Sequence, residues 1–407
     1  MRAPTWEENG AAGGRVLACV TLLWLAGIGL RLTILAVPPV IPLIHADLQM
    51  SETEIGVLTG LPPVLFACAA VPGSLLIARF GALSTVVTGL LATAVGSALR
   101  GAAPDVWLLY AATILTGFGV AVMQPSLPPL VRAWLPHRIG FGTAVYTNGL
   151  LVGEILPVAL TIPWILPLLG GSWRLGFAVW AVPVALIALL VVTLAPRHYN
   201  VLTAGVVATR RWWPDWKSRL LWRLGLMLGG VNAMYFTTNA FIPDYLHHLG
   251  RSELISGALT ALNVGQLPAS GLLLLFAGQL ERRTWPYLAC GVLCIVAVLG
   301  IMFGSDFAII GGAALLGFAA ASVLILMLAL PPLLCPPDDV HRLSAGMFTI
   351  SYSCAVIVPI LSGLAWDLSG IPAVAFAPIG LCALLLLGLA PTISFKRGAA
   401  VVGRRAP

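Results

Sequence analysis

Two charged residues fall in the middle of long apolar runs of this chain: Arg31 within 15–43 and Glu154 within 139–168. An arginine at the centre of a bilayer costs from about 3 kcal/mol on insertion scales to more than about 10 in simulations, so Arg31 must face a cavity or a partner. Glu154 is the candidate partner. The two runs cross in the same direction, and each charge lies a similar distance from the start of its own run, so guanidinium and carboxylate fall at similar depth. Two roles remain open for such a pair. It can be structural neutralisation, or a substrate can compete for Arg31 and release Glu154 to take up a proton, because a desolvated carboxylate holds protons more tightly.

A second polar group lies on the runs 221–246 and 253–280: Asn232, Tyr235, Thr237, Thr238 and Asn239, then Asn263 and Gln266. Asn232, Tyr235 and Asn239 recur at helical spacing, which gives one polar helix face that must meet a cavity or a polar neighbour. Lining of a solute path is expected of Asn232, Tyr235, Asn239 and Asn263; interhelical hydrogen bonding is the alternative, above all for Thr237 and Thr238. Asp244, His247 and His248 imitate metal-ligand spacing but fall at a wet helix end, and Cys290 and Cys294 share a face with no His or acid to complete a set. No metal or cofactor is expected. There is no His-Glu-x-x-His, no pair of intramembrane aspartates and no nucleotide-binding glycine loop, so the chain does not read as an enzyme.

The elements that position these residues are membrane helices. With 59% apolar and 9% charged residues, and a mean hydropathy of +0.99, the chain has the bilayer as its solvent. Runs long enough to cross about 30 Å of hydrocarbon lie at 15–43, 51–78, 82–102, 105–131, 139–168, 172–195, 221–246, 253–280, 284–305, 306–334, 342–365 and 370–394. An all-α polytopic protein of twelve transmembrane helices follows, since barrel strands would show alternating segments of about ten residues.

The chain also repeats itself at an offset of 201 residues. Ser51-Glu52-Thr53-Glu54-Ile55-Gly56-Val57-Leu58-Thr59-Gly60-Leu61 returns as Ser252-Glu253-Leu254-Ile255-Ser256-Gly257-Ala258-Leu259-Thr260-Ala261-Leu262, with six of eleven positions identical. Leu115-Thr116-Gly117-Phe118 returns as Leu315-Leu316-Gly317-Phe318, and His137-Arg138 as His341-Arg342. Two homologous six-helix bundles are expected, 15–195 and 221–394, joined by the polar basic stretch 196–220 and flanked by tails 1–14 and 395–407. At the repeat offset Arg31 corresponds to Asn232, so one half supplies charge and the other hydrogen bonds.

Basic residues orient the chain. Of 22 Lys and Arg, 18 lie in the even-numbered loops and the tails, against Arg100, Arg174 and Arg251 on the other side. Both termini and the linker are therefore expected in the cytoplasm. The same bias accounts for the net charge of +7, and the basic, Trp-rich stretch 210–223 reads as a headgroup anchor, not a nucleic-acid site. The first 14 residues lack the basic start and cleavage site of a secretory signal.

Parallel six-helix halves joined by a cytoplasmic linker resemble the major facilitator superfamily. Its loop signature after the second helix survives here only as Arg79-Phe80-Gly81, with Ala78 in place of the acid. Within that superfamily the chain is similar to the cyanate and 2-nitroimidazole porter family, on Gly29-Leu30-Arg31-Leu32 followed by Pro39-Val40-Ile41-Pro42, on Leu58-Thr59-Gly60-Leu61-Pro62, and on Gly117-x-Gly119 with Gln124, Pro128 and Arg132. The family's Asn and Pro beside the arginine are replaced by Gly29 and Leu32, and Glu154 stands where small residues are expected.

The resemblance implies a secondary transporter of a small planar solute, a cyanate-like anion or a nitro-heteroaromatic, with Arg31 as the donor to that group and Gln124 as a midplane hydrogen-bond donor. It implies alternating access in a bacterial inner membrane, with protons and the lipid bilayer as partners and a monomer as the working unit. Proline pairs such as Pro38-Pro39, Pro62-Pro63 and Pro128-Pro129 would kink the cavity helices. Export of hydrophobic antimicrobials and a non-transporting sensor on the same frame are the alternatives.

Overall fold

The computed structural model describes residues 6–196 and 211–393, with side chains from Gly14 onward and those of residues 52 and 53 excepted. Both tail ends and most of the expected linker, Arg210 included, lie outside the described residues. The chain divides into two compact units, Met1–Trp213 and Pro214–Pro407. That boundary falls inside the basic stretch 196–220.

Helices and their connecting turns make up the described residues. In unit 1 they are α1 (Trp6–Gly29), α2 (Ile41–Leu48), α3 (Glu52–Phe80), α4 (Ala82–Gly101), α5 (Val106–Met123), α6 (Leu127–Trp134), α7 (Ile139–Leu160), the single turn α8 (Leu166–Leu168) and α9 (Trp173–Leu194). In unit 2 they are α10 (Arg219–His248), α11 (Leu254–Val264), α12 (Gln266–Leu280), α13 (Trp285–Phe303), α14 (Asp306–Leu334), α15 (Val340–Ser369) and α16 (Ala377–Leu389). Six spans arise in each unit because α5–α6, α7–α8 and α11–α12 are interrupted single crossings. Ten spans are long and apolar enough to cross a membrane by length and composition alone. The remaining two crossings are α1, whose described apolar part is short, and α10, which is long but carries the polar face.

The packing repeats as the sequence does. In unit 1, α1 packs on α7, α3 on α5, and α4 on both α5 and α9; in unit 2, α10 packs on α15, α11 and α12 on α14, and α13 on both α14 and α16. The repeated Ser-Glu motif begins the second span of each unit. Ser51 Oγ accepts from Glu54 N at 3.3 Å while Ser51 N donates to Glu54 Oε2 at 2.7 Å, a capping box that satisfies two helix-end donors. In the second copy Ile255 replaces Glu54, and that helix start makes no side-chain cap.

Large apolar side chains point outward, as lipid contact allows, and exposed Trp107, Trp164, Trp222 and Trp285 lie near span ends, where indole rings suit the interface. Inside, hydroxyls bond back to their own helix: Thr116 to Ala112 O and Thr147 to Thr143 O, both at 2.8 Å. In an apolar medium that is the nearest available acceptor.

One expectation is corrected. The first span does not run to 43 with a kink at Pro38-Pro39. Regular helical pairing already ends at Gly29, after which tighter and α-type bonds mix, and the proline pair instead opens a one-turn helix, Pro38–Val40, that leads into the separate α2. The fourth span is broken by a tight turn at Gln124–Ser126, ahead of Pro128-Pro129. Pro62-Pro63 lie inside an unbroken α3.

Candidate functional site

Arg31 stands where the first span stops being an α-helix. Beyond Gly29 tighter bonds mix with α-type ones: Leu30 N donates to Gly27 O and Arg31 N to Ile28 O, each at 3.1 Å, and Ile34 N to Arg31 O at 3.0 Å, while Leu32 N still reaches Ile28 O at 3.1 Å and Leu35 N reaches Arg31 O at 3.0 Å. Shorter pairing strands some carbonyls and re-aims the side chains that follow. Arg31 thereby reaches the fifth crossing of its own unit. Its Nε lies 3.3 Å from Glu154 Oε1, with side chains 11% and 18% exposed, and its guanidinium carbon lies 5.5 Å from the centre of the Phe66 ring.

Close approach of α1 and α7 makes this contact possible. A Cβ at Gly149 would meet Trp24 O at 2.1 Å, and one at Gly153 would meet Ile28 O at 2.5 Å, so only glycine lets the two backbones touch here. Trp24 Nε1 donates to Asn148 Oδ1 at 2.9 Å on the same interface. Glu154, next to Gly153, is thus held at the level of the break. At 3.3 Å and an effective dielectric constant near 20 the attraction is about 5 kcal/mol, set against a desolvation cost of several kcal/mol per ion. Such a pair neutralises a buried charge yet gains little net stability.

Gln124 is buried in the turn Gln124–Ser126, which packs against α3 and α4. In unit 2 the polar residues on α10 and α11 bond to one another. Tyr235 Oη donates to Asn263 Oδ1 at 2.6 Å; Asn263 Nδ2 donates to Leu259 O at 2.8 Å and, more weakly, to Asn239 Oδ1 at 3.4 Å; Asn239 Nδ2 donates to Tyr235 O at 3.0 Å. Asn232 is apart from this trio and donates from Nδ2 to Ser351 Oγ on α15 at 2.8 Å. Arg31 and its repeat counterpart therefore make the same move, each reaching the fifth crossing of its own unit.

The roles of the threonines are corrected. Thr237 and Thr238 are fully buried, and neither hydroxyl has a hydrogen-bond partner, so they are not the interhelical links. The larger polar residues beside them make those links. Asp244, His247 and His248 are exposed at the end of α10, and among the described residues no group of three His, Cys, Asp or Glu could hold a metal ion.

Two features escape the sequence reading. Asn148 and Trp24 carry a readable signal, polar atoms inside apolar runs. Arg100 carries none, because an arginine beside Gly101 at a helix end reads as a loop residue, yet it is wholly buried.

Comparison with known proteins agrees with this architecture. The sequence profile of the Major Facilitator Superfamily matches residues 23–280, more than half of the chain. The chain is 28% identical over 364 residues to the 2-nitroimidazole transporter of Escherichia coli strain K12, covering 88% of this chain and 90% of that protein. It is likewise 28% identical over 365 residues to the cyanate transport protein CynX of the same organism, covering 86% and 90%. Among solved structures it is similar in fold to the proton:xylose symporter XylE bound to 6-bromo-6-deoxy-D-glucose, with a TM-score of 0.73 at 12% identity over 96% of this chain and 99% of that one. Duplicated six-helix units, a charge pair buried at a broken crossing and a profile match over most of the first unit and into the second lead to one conclusion: this multi-pass membrane protein is a transporter, not an enzyme, and belongs to the major facilitator superfamily.

Proposed function

We propose that this protein is a secondary active transporter that moves a small planar solute, a cyanate-like anion or a nitro-heteroaromatic, by alternating access across a bacterial inner membrane. The observation that carries this reading is the Arg31–Glu154 contact, a cation and a carboxylate 3.3 Å apart and nearly buried at the break of the first span. Similarity over most of the chain to a 2-nitroimidazole transporter and a cyanate transport protein supports the substrate class.

Arg31 is the donor to the anionic or nitro group. Gln124 offers a hydrogen bond from the fourth crossing of the same unit, and within unit 2 Asn232, Tyr235, Asn239 and Asn263 are that unit's own uncharged donors and acceptors for the solute. When the solute takes Arg31, Glu154 is left in a poorly solvated place without its cation, and uptake of a proton removes that cost. Transport is then coupled to protons. The basic bias of the even-numbered loops supports cytoplasmic termini, and the chain works as a monomer.

Flux into proteoliposomes, with and without an imposed pH gradient, tests this for cyanate, nitrate, small carboxylates and 2-nitroimidazole. Gradient-driven movement of one of these that is lost in Arg31→Gln is expected. Movement unaffected by Arg31→Gln refutes the assigned role, and no movement of any, with folded protein confirmed, turns the reading towards export of lipophilic compounds or sensing.

A further inference from the structure

The break in the first span is held by a residue outside the proposed transport site. Arg100, in the last turn of α4, is 0% exposed. Its Nη1 donates to Thr33 O at 2.9 Å and its Nε to Thr113 Oγ1 at 3.1 Å, while the Thr113 hydroxyl donates to Leu109 O at 2.8 Å. The guanidinium carbon lies 5.8 Å from the centre of the Phe177 ring, and Nη2 has no hydrogen-bond partner. Among the described residues no carboxylate pairs with it.

A buried guanidinium without a carboxylate is a costly way to fill space, since an apolar side chain of similar volume avoids the desolvation. The carbonyl end of α4 and the face of Phe177 offset part of that cost. What the charge does locally is specific. Thr33 lies two residues beyond Arg31, in the irregular turns where α-type and tighter pairing mix, and its carbonyl takes no part in those turns' own bonds. Arg100 supplies the missing donor.

The outer end of the same stretch is also fixed by an arginine. Asp47 on α2 accepts from Trp173 Nε1 at 3.1 Å and pairs with Arg174, whose Nε and Nη2 donate to Ala103 O, just beyond Arg100, at 3.4 and 3.3 Å. The segment from the break to α2 is therefore pinned at both ends, by α4 and by the start of α9.

We propose that Arg100 is a positioning residue for transport: by holding the Thr33 carbonyl it keeps the first span interrupted in the conformation that aims Arg31 at Glu154. Its influence on the solute passes through Arg31, and in that respect the proposal rests on the reading of Arg31 as the binding cation.

The test uses the full-length protein in lipid nanodiscs and proteoliposomes, with Arg100→Met, Arg100→Lys, Arg31→Gln and the double variant Arg100→Met/Arg31→Gln. Amide hydrogen exchange needs no solute. Loss of a charged hydrogen bond to a buried carbonyl should speed exchange at residues 30–37 by roughly tenfold or more in Arg100→Met, less in Arg100→Lys, with α4, α5 and α9 unchanged. Uptake of cyanate and 2-nitroimidazole should show a KM raised by about tenfold with kcat little altered, and Arg100→Met should add nothing to Arg31→Gln.

Wild-type exchange at 30–37, equal loosening of α4, α5 and α9, or multiplying losses in the double variant overturns the proposal. If Arg31→Gln leaves both fluxes intact, the transport reading fails, and exchange alone decides whether Arg100 braces the break. Should Arg100→Met not fold, Thr113→Val keeps the arginine but removes its anchor, and faster exchange confined to 30–37 is again the required result.

Discussion

Exchanging Glu154 for Gln isolates the charge of the carboxylate from its size. In the resting protein Arg31 Nε is 3.3 Å from Glu154 Oε1, an attraction of about 5 kcal/mol at an effective dielectric constant near 20. An anion that binds Arg31 must first overcome it. Gln keeps an oxygen that can accept from Arg31, and a hydrogen bond to a neutral acceptor retains roughly half the strength of one to a carboxylate. About 2 kcal/mol is therefore returned to an incoming anion, or roughly thirtyfold in affinity.

Titration calorimetry of purified protein with cyanate between pH 6 and 8 measures this. Wild-type affinity should strengthen as pH falls, because the displaced carboxylate takes up a proton on binding. Glu154→Gln should bind roughly thirtyfold more tightly with no pH dependence, and its uptake into proteoliposomes should no longer follow a pH gradient. Weaker binding in Glu154→Gln, or a pH dependence that survives the substitution, refutes the reasoning.

Two further expectations follow from the same packing and burial. Gly149→Leu places a side chain where even a Cβ would lie 2.1 Å from Trp24 O, so α1 must move off α7. Overpacking of that kind costs roughly 1–3 kcal/mol, and thermal unfolding should fall while anion binding drops towards the level of Arg31→Gln; binding equal to wild type would show that the close approach does not set the pair. Glu281, just past the end of α12, is 6% exposed with Oε2 lacking a partner, and burial pushes its carboxyl from 4.5 up to about 7, against a smaller opposing pull from Arg282. A carboxyl raised in the folded state contributes stability in full below 4.5 and loses it as pH rises through 7, a penalty of about 3 kcal/mol at high pH. Glu281→Gln should flatten the fall in unfolding temperature between pH 5 and 8, and parallel curves for the two proteins would remove Glu281 as its cause.

The two halves differ where the first crossing of each meets its fifth. The scaffold contacts repeat from unit 1 to unit 2, but Arg31 faces a carboxylate while Asn232, at the matching place, faces Ser351. At this first-to-fifth contact a cation–carboxylate pair stands in unit 1 and a neutral hydrogen bond takes its place in unit 2.

Residue chemistry along the chain determined a good deal by itself. Apolar run lengths set twelve crossings, the 201-residue repeat set two related bundles, and the cost of charge in hydrocarbon singled out Arg31 and Glu154 and placed them at one depth. These features are local or additive along the sequence, which is why they could be read there. Helical period shows that Asn232, Tyr235 and Asn239 share a face, but not which neighbour that face meets, and only packing divided them between Ser351 and Asn263. The break after Gly29 left no local mark stronger than Pro38-Pro39, because its stability depends on a donor supplied from α4. Arg100 is the clearest case: its neighbours in sequence are those of a loop, and its burial is decided by Thr33, Thr113 and Phe177, which come together only when the bundle closes.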